Sequence, residues 1–308
     1  MKKNLTLLLL IASLSSYGQK SSLVLNLKKD STYYLNQNSN LSITQEIPGH
    51  TQVINTYISA LVSHKVIAIR DTVFELEVQY ESFGIKMDMS GRTLMSVDTK
   101  NKDSQDIMNK VMRGMLHKTI TVTISKKGKI MDVKNIDSFY ADMFAGFPEL
   151  TEAQKTQIKA QVEKSFGEKA FRNNFQDAFA VLPDAVVGVN DTWVSDTNIE
   201  TIAAAKIKTT YVLKSVDDRA FNVHGDAAVS SAGIADFIIS NGLPMRYNNV
   251  NGTYTVEIKL DKATGWITES KISKHIKGDL EIKDNPKIPG GITFPMSIDG
   301  DIYLKNSK

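Results

Sequence analysis

The chain has 308 residues, no cysteine, and 37 basic against 34 acidic side chains. The absence of thiols excludes disulfides, cysteine nucleophiles and cysteine-held metals, while 42% hydrophobic residues suffice for a core without cross-links. A formal net charge of +3 with no basic stripe gives no electrostatic footprint for nucleic acid, so none is expected as a partner.

Lys2 and Lys3 precede an apolar run from Leu5 to Leu14, and Ser16-Tyr17-Gly18 supplies small residues before Gln19. This pattern predicts a secretory signal peptide over residues 1–18. The run falls short of the roughly 20 residues that cross a bilayer, so no integral membrane segment is expected in the mature chain. Removal of the two lysines leaves 35 basic and 34 acidic residues, close to neutrality. Without a cysteine to acylate, the expected product is periplasmic or extracellular and not a lipoprotein, folding as one β-rich domain over residues 19–308.

From Tyr33, apolar residues at Leu35, Leu41, Ile43 and Ile47 keep odd positions until Pro48-Gly49, which predicts a long half-buried strand. A second apolar run, Val53 to Ile69, meets Arg70-Asp71. Beyond that turn Phe74, Leu76, Val78 and Tyr80 alternate with Glu75, Glu77, Gln79 and Glu81, an antiparallel hairpin with one wet face. At Phe83-Gly84 the apolar parity flips to Ile85, Met87 and Met89, which predicts a bulge or sharp bend.

The region of about residues 101–183 changes period and reads as a mainly helical insertion. Ile107, Met108, Val111, Met112, Met115 and Leu116 recur at three- and four-residue intervals within Asp103–Leu116, one face of a helix. Ile120, Val122 and Ile124, the turn at Lys127-Gly128, then Ile130 and Val133 predict a short hairpin inside the insertion. A second helical stripe runs through Ile136, Phe139, Tyr140, Met143, Phe144 and Phe147 to Pro148. Thr151 and Gln154 form a capping box before a helix with Ile158, Val162 and Phe166 at four-residue steps, ended by Gly167. Phe171, Phe175 and Phe179 predict one more helix, closed by Leu182-Pro183.

From Val189 onward the pattern is β again. The better strands are Thr209–Val216, Ala220–Val229, Tyr254–Leu260, Trp266–Ile276 and Ile298–Leu304, with turns expected at Asp217-Asp218, Asn251-Gly252 and Ala263-Thr264-Gly265. Thr121–Ile130 and Thr255–Ile267 echo each other as strand, glycine turn and returning strand, which suggests two β halves around the insertion.

Motifs for chemistry are sparse. His50, His64, His117, His224 and His275 stand apart, with no pair at zinc-ligand spacing. No Gly-x-Ser-x-Gly elbow, phosphate-cradling loop or dinucleotide fingerprint occurs, so no catalytic residue, metal or cofactor is expected. Glu75, Glu77 and Glu81 read as the solvated side of their hairpin. The unusual distribution is methionine: eight of eleven, from Met87 to Met143, lie within sixty residues. Thioethers can hold copper(I), but Met108, Met112 and Met115 share a stripe with Ile107, Val111 and Leu116, so burial explains them without a metal. With Met87, Met89, Phe139, Met143, Phe144 and Phe147, these three are the candidate lining of an apolar cavity between sheet and helices.

Four short segments carry a family likeness: Leu27-Lys28-Lys29-Asp30-Ser31-Thr32-Tyr33, Ser125-Lys126-Lys127-Gly128-Lys129, Val187-Gly188-Val189-Asn190-Asp191-Thr192-Trp193, and Leu260 through Trp266. In order and spacing, over nearly the whole mature chain, the sequence resembles exported proteins of Bacteroidetes-type bacteria catalogued as domain of unknown function 6263. The resemblance implies an exported β-rich protein and supplies no catalytic residue. Trp193 and Trp266, each following a glycine turn, are expected as structural anchors.

The expected fold class is α+β: an extensive curved antiparallel β-sheet or half-barrel with the central helical insertion packed against it. The leading functional expectation is a non-enzymatic exported binding protein that holds a lipid or other apolar small molecule. The alternative is an envelope structural or interaction protein, and a hydrolase with a dispersed site comes third.

Overall fold

The structure, a computed structural model, describes residues 20–141, 143–144, 146–169, 171–172, 175, 182–200, 204–240 and 242–307. The expected signal peptide and Phe179 lie outside the described residues. Thirteen strands form one sheet: β1 (Thr32–Ile47), β2 (His50–Arg70), β3 (Val73–Met89), β4 (Arg92–Asp98), β5 (Ile120–Ser125), β6 (Ile130–Lys134), β7 (Thr192–Glu200), β8 (Ala204–Val216), β9 (Ala220–Ser231), β10 (Ile238–Ser240), β11 (Leu243–Asp261), β12 (Ile267–Ile282) and β13 (Ile292–Lys305). Among the described residues the named helices are α1 (Ile107–Gly114), α2 (Ser138–Ala141) and α3 (Glu152–Phe166), and residues 168–169, 171–172 and 175 are also helical. No helix among the described residues is long and apolar enough to cross a membrane.

The spatial order is β6-β5-β3-β2-β1-β13-β12-β11-β9-β8-β7, with β4 extending the far end of β3 and β10 pairing with β11. Every named pairing is antiparallel. Pairing of β1 with β13 joins the first and last strands, so the two halves of the chain make one continuous sheet and leave β6 and β7 as its edges. Ten interstrand steps of about 4.8 Å would separate those edges by about 48 Å in a flat sheet. Yet Ser21 bridges Val187, just before β7, while the Leu25 amide donates to the Lys126 carbonyl in the β5–β6 turn. Four residues reach at most about 14 Å, so the sheet curves until its edges nearly face each other.

Residues 20–31 strap the end where the edges approach. Besides Val187 and Lys126, they bond the β11–β12 turn through Asn26 N–H to the Thr264 carbonyl, and β2 through Asp30 N–H to the Val66 carbonyl. Leu23, Leu25 and Leu27, at alternate positions, are buried beneath the strap. Gly265 adopts φ +69°, and a Cβ there would lie 2.1 Å from the Val24 carbonyl oxygen. Glycine is the residue that allows both this conformation and this approach. Trp266 is fully buried at the same end, 5.0 Å from the Tyr33 ring and 5.1 Å from His64. The four segments that carried the family likeness meet here, at the strap, the β5–β6 turn, the entry to β7 and the β11–β12 turn.

Several elements follow the alternation closely. In β3, Tyr80 pairs with Val62 and Ser82 with Leu61, so Glu81 is the extra residue of a bulge two positions before Phe83. The bulge keeps Phe74 to Tyr80 and Phe83 to Met89 on one face despite their opposite parity. It also takes Glu81 out of the acidic row, where its carboxylate accepts from Ser63 Oγ at 2.6 Å and stands 3.4 Å from His117 Nδ1. The capping box of α3 forms as expected, with Thr151 accepting from the Gln154 amide and the Gln154 side chain accepting from Thr151 N–H.

Other expectations are corrected. The stripe from Ile136 to Phe147 forms a helix only over the four residues of α2, and Met143, Phe144 and Gly146 lie in turns. Its apolar side chains are buried by tertiary packing rather than by a continuous amphipathic helix. The helix expected over Asp103–Leu116 starts at Ile107, because Asp106 caps it by accepting from Asn109 N–H. Asn251-Gly252 is not a turn: both residues sit inside β11, next to a register shift, where a Cβ on Gly252 would be 2.3 Å from the His275 carbonyl oxygen. The glycine marks close strand contact. The echoing hairpins occupy different places, β5–β6 at an edge and β11–β12 in the interior.

Candidate functional site

Cross-strand register settles which side chains share the concave face. Leu35, Gln37, Ser39, Leu41 and Ile43 of β1 oppose Val62, Ala60, Ile58, Thr56 and Ile54 of β2, which in turn oppose Tyr80, Phe83, Ile85, Met87 and Met89 of β3. Ile85 and Met87 continue across to Val97 and Met95 of β4. Helix α1, which lies between β4 and β5, and the segment between β6 and β7 pack on this face at the strapped end, where Val111, Phe139, Phe147, Val162 and Phe171 join sheet residues in the main core. Beyond the helices the face stays apolar but only half buried, as at Ile43, Ile54, Ile276 and Ile298.

Between helices and sheet a cleft of about 380 Å³ remains. One wall is Ile58 and Ala60 of β2 with Tyr80, Phe83, Ile85 and Met87 of β3; Met95 and Val97 of β4 extend it. Met108 and Met112 of α1 and Val162 and Phe166 of α3 form the opposite wall, and Gln37 of β1 closes one side. Phe166 meets Phe83 edge-on at 5.0 Å and Tyr80 at 5.8 Å, which fixes α3 over the sheet. Burial pushes the Tyr80 hydroxyl up to about 12, so it is a neutral donor across the physiological range.

Three of the nine candidate residues, Met87, Met108 and Met112, line this cleft. Met115, Phe139, Met143 and Phe147 are sealed in the core, and Phe144 packs partly buried against it. Met89 lies at the far end of β3, its sulfur accepting from Gln52 Nε2 at 2.6 Å. Methionine spacing alone does not separate lining from core. The lining that it leaves out, Tyr80, Phe83, Ile85, Met95 and Phe166, was legible only as faces: β3 parity after the bulge, the short β4, and the stripe of α3.

A larger hollow of about 790 Å³ lies between the edges, lined by Lys127–Lys129 and Thr192–Thr197 with residues 182–187. It is polar, and Lys127 Nζ is held by the Pro183 carbonyl. Burial lowers the Lys127 pKa from its usual value. This hollow belongs to the strapped end, and its lining includes Lys127, Asp184 and Ser195.

The family described as "Family of unknown function (DUF6263)" matches residues 71–267. The chain belongs to this family. The match starts at the β2–β3 turn and ends with Trp266 and Ile267, so it includes β3 to β11 and helices α1 to α3 but not the strap or β13. No curated protein matches the sequence. Among solved structures, "Lipid-protein interactions in lipovitellin" superposes with a TM-score of 0.50 at 9% identity, covering 92% of this chain and 26% of that one. The chain thus spans about a quarter of that structure's length, and the likeness is one of fold. An outer membrane channel from Pseudomonas putida F1 aligns at a TM-score of 0.22 and 6% identity, over 91% of this chain and 97% of the other.

Proposed function

We propose that this family member is an exported, non-enzymatic binding protein that carries an apolar or amphipathic small molecule in the cleft between the curved sheet and helices α1 and α3. The observation that carries the reading is the cleft itself: about 380 Å³ lined by methionine and aromatic side chains on a concave sheet face. Its volume is within the range of small-molecule sites, and the thioethers of Met87, Met95, Met108 and Met112 can adjust to different chain shapes. The fold likeness to a structure whose title concerns lipid–protein interactions supports the same reading. In this proposal the signal peptide takes the chain to the periplasm or beyond.

Native mass spectrometry and solvent extraction of protein isolated from its own host test the proposal. The expected result is a copurifying lipid-like molecule, displaced by a fluorescent apolar probe. Val162→Trp, which fills the cleft, is expected to reduce probe binding at least tenfold with little loss of folding. An empty protein that binds no apolar probe overturns the carrier reading, and recovery of the processed chain only from the cytoplasm overturns export.

A further inference from the structure

The cleft has a charge character that narrows its ligand. Among the described residues lining it there is no Lys, Arg, His, Asp or Glu, and the polar groups are the amide of Gln37 and the phenol of Tyr80. Gln37 Nε2 donates to Ser39 Oγ at 3.1 Å, which leaves Oε1 as an acceptor. The Tyr80 ring is held edge-on by Phe166 and borders the cleft. One step along the same face, between the lining residues Ile58 and Met87, Thr56 is 7% exposed and its Oγ1 has no partner among the described residues. Polar groups bordering an otherwise apolar cleft suit a ligand that brings hydrogen-bonding partners of its own.

We infer that the cleft selects an uncharged amphiphile: a single hydrocarbon chain against the methionines, with a hydroxyl or ester head hydrogen-bonded by Gln37 and Tyr80. The inference rests on the carrier reading and adds the class of cargo. An ionised fatty acid or a lysophospholipid would place its charge where none of the described lining side chains compensates it, and burying an unpaired charge is far costlier than burying a neutral hydroxyl that finds partners. The tyrosine stays protonated throughout the physiological range, so it donates and never repels an ester oxygen. A volume of about 380 Å³ is at the small end of ligand cavities, which favours one chain over two.

The test is displacement of a bound fluorescent apolar probe, near neutral pH, by three compounds of one chain length: monomyristin, myristate and lysophosphatidylglycerol. Monomyristin is expected to displace the probe at concentrations at least tenfold lower than either anion. Tyr80→Phe and Gln37→Leu are each expected to weaken monomyristin about three- to tenfold more than they weaken the probe, since each removes one hydrogen bond that only monomyristin uses. Gln37→Arg should shift the preference toward myristate. Equal or tighter binding of myristate to the unaltered protein overturns the inference and leaves the carrier reading standing. Failure of the protein to bind the probe or any of the three overturns both.

Discussion

His64 shows how a single polar side chain is kept in this core. It is 2% exposed, wedged between the rings of Trp266 and Phe175, and burial pushes its pKa down to about 4 against the opposing effect of backbone hydrogen bonds at Tyr33 and Val62. Its folded pKa is therefore below the unfolded value of about 6.5, and the unfolded chain takes up the proton first. The stability tied to neutral His64 is complete above about pH 6.5 and is lost as the pH falls toward 4, amounting to about 2 kcal/mol by pH 5. The lowered carboxylates Asp88, Asp217, Glu281 and Asp301 lose their contribution at lower pH, and His224, raised by Glu257, acts in the opposite sense. Comparison with His64→Gln isolates the term: urea unfolding at about pH 7.5 and about pH 5 is expected to show a drop smaller by about 2 kcal/mol in the variant. An unchanged drop would mean that His64 is already protonated in the folded state. The histidine itself was visible in the sequence, but its neutrality was not, because the desolvation comes from strap, sheet and helix residues far apart in the chain.

At the scale of elements, local chemistry set most strands and one helix start. The alternation through Phe74 to Met89 located both the hairpin and the parity change that became the Glu81 bulge, since side-chain direction repeats every two residues whatever the partner strand. The capping box at Thr151 and Gln154 was equally local. Thr151→Ala is expected to lower stability by about 1 kcal/mol and to weaken retention of the cleft probe, because α3 supplies the Val162 and Phe166 wall. Thr151→Ser should restore both, and chemical denaturation together with probe titration reads them. Local pattern failed where packing supplies the order. Phe139, Met143 and Phe147 are spaced like one helix, yet only Phe139 lies in the short α2 and Met143 lies in a turn, and Asn251-Gly252 has turn composition yet serves a tight strand contact. The short β4 lacks any distinctive period, and only its pairing with β3 makes it a strand.

In the whole molecule, the strap ties the two edges of the curved sheet together. Leu23 and Leu25 are each 1% exposed, and the backbone between Ser21 and Leu25 ties both edges of the sheet to one short segment. Leu23→Ala and Leu25→Ala are expected to lower stability by about 2–5 kcal/mol each, with the double variant cleaved by added protease near residues 125–129 and 187–191, where the edges would separate. Urea midpoints and cleavage mapping check this; a double variant as stable and protease-resistant as the parent would show that the sheet holds its curve without the strap. By itself the sequence determined the antiparallel β character, the starting cap of α3, the β5–β6 hairpin, the bulge, and the family likeness of four short segments, because period, capping and turn chemistry act over a few residues. Only the tertiary structure decided that those four segments meet at one end, that β1 pairs with β13, and that Met87, Met108 and Met112 line a cleft while Met115 and Met143 are sealed. Those outcomes depend on contacts between residues up to two hundred and seventy positions apart, and hydrophobic burial, which drives them, has no direction for a local pattern to record.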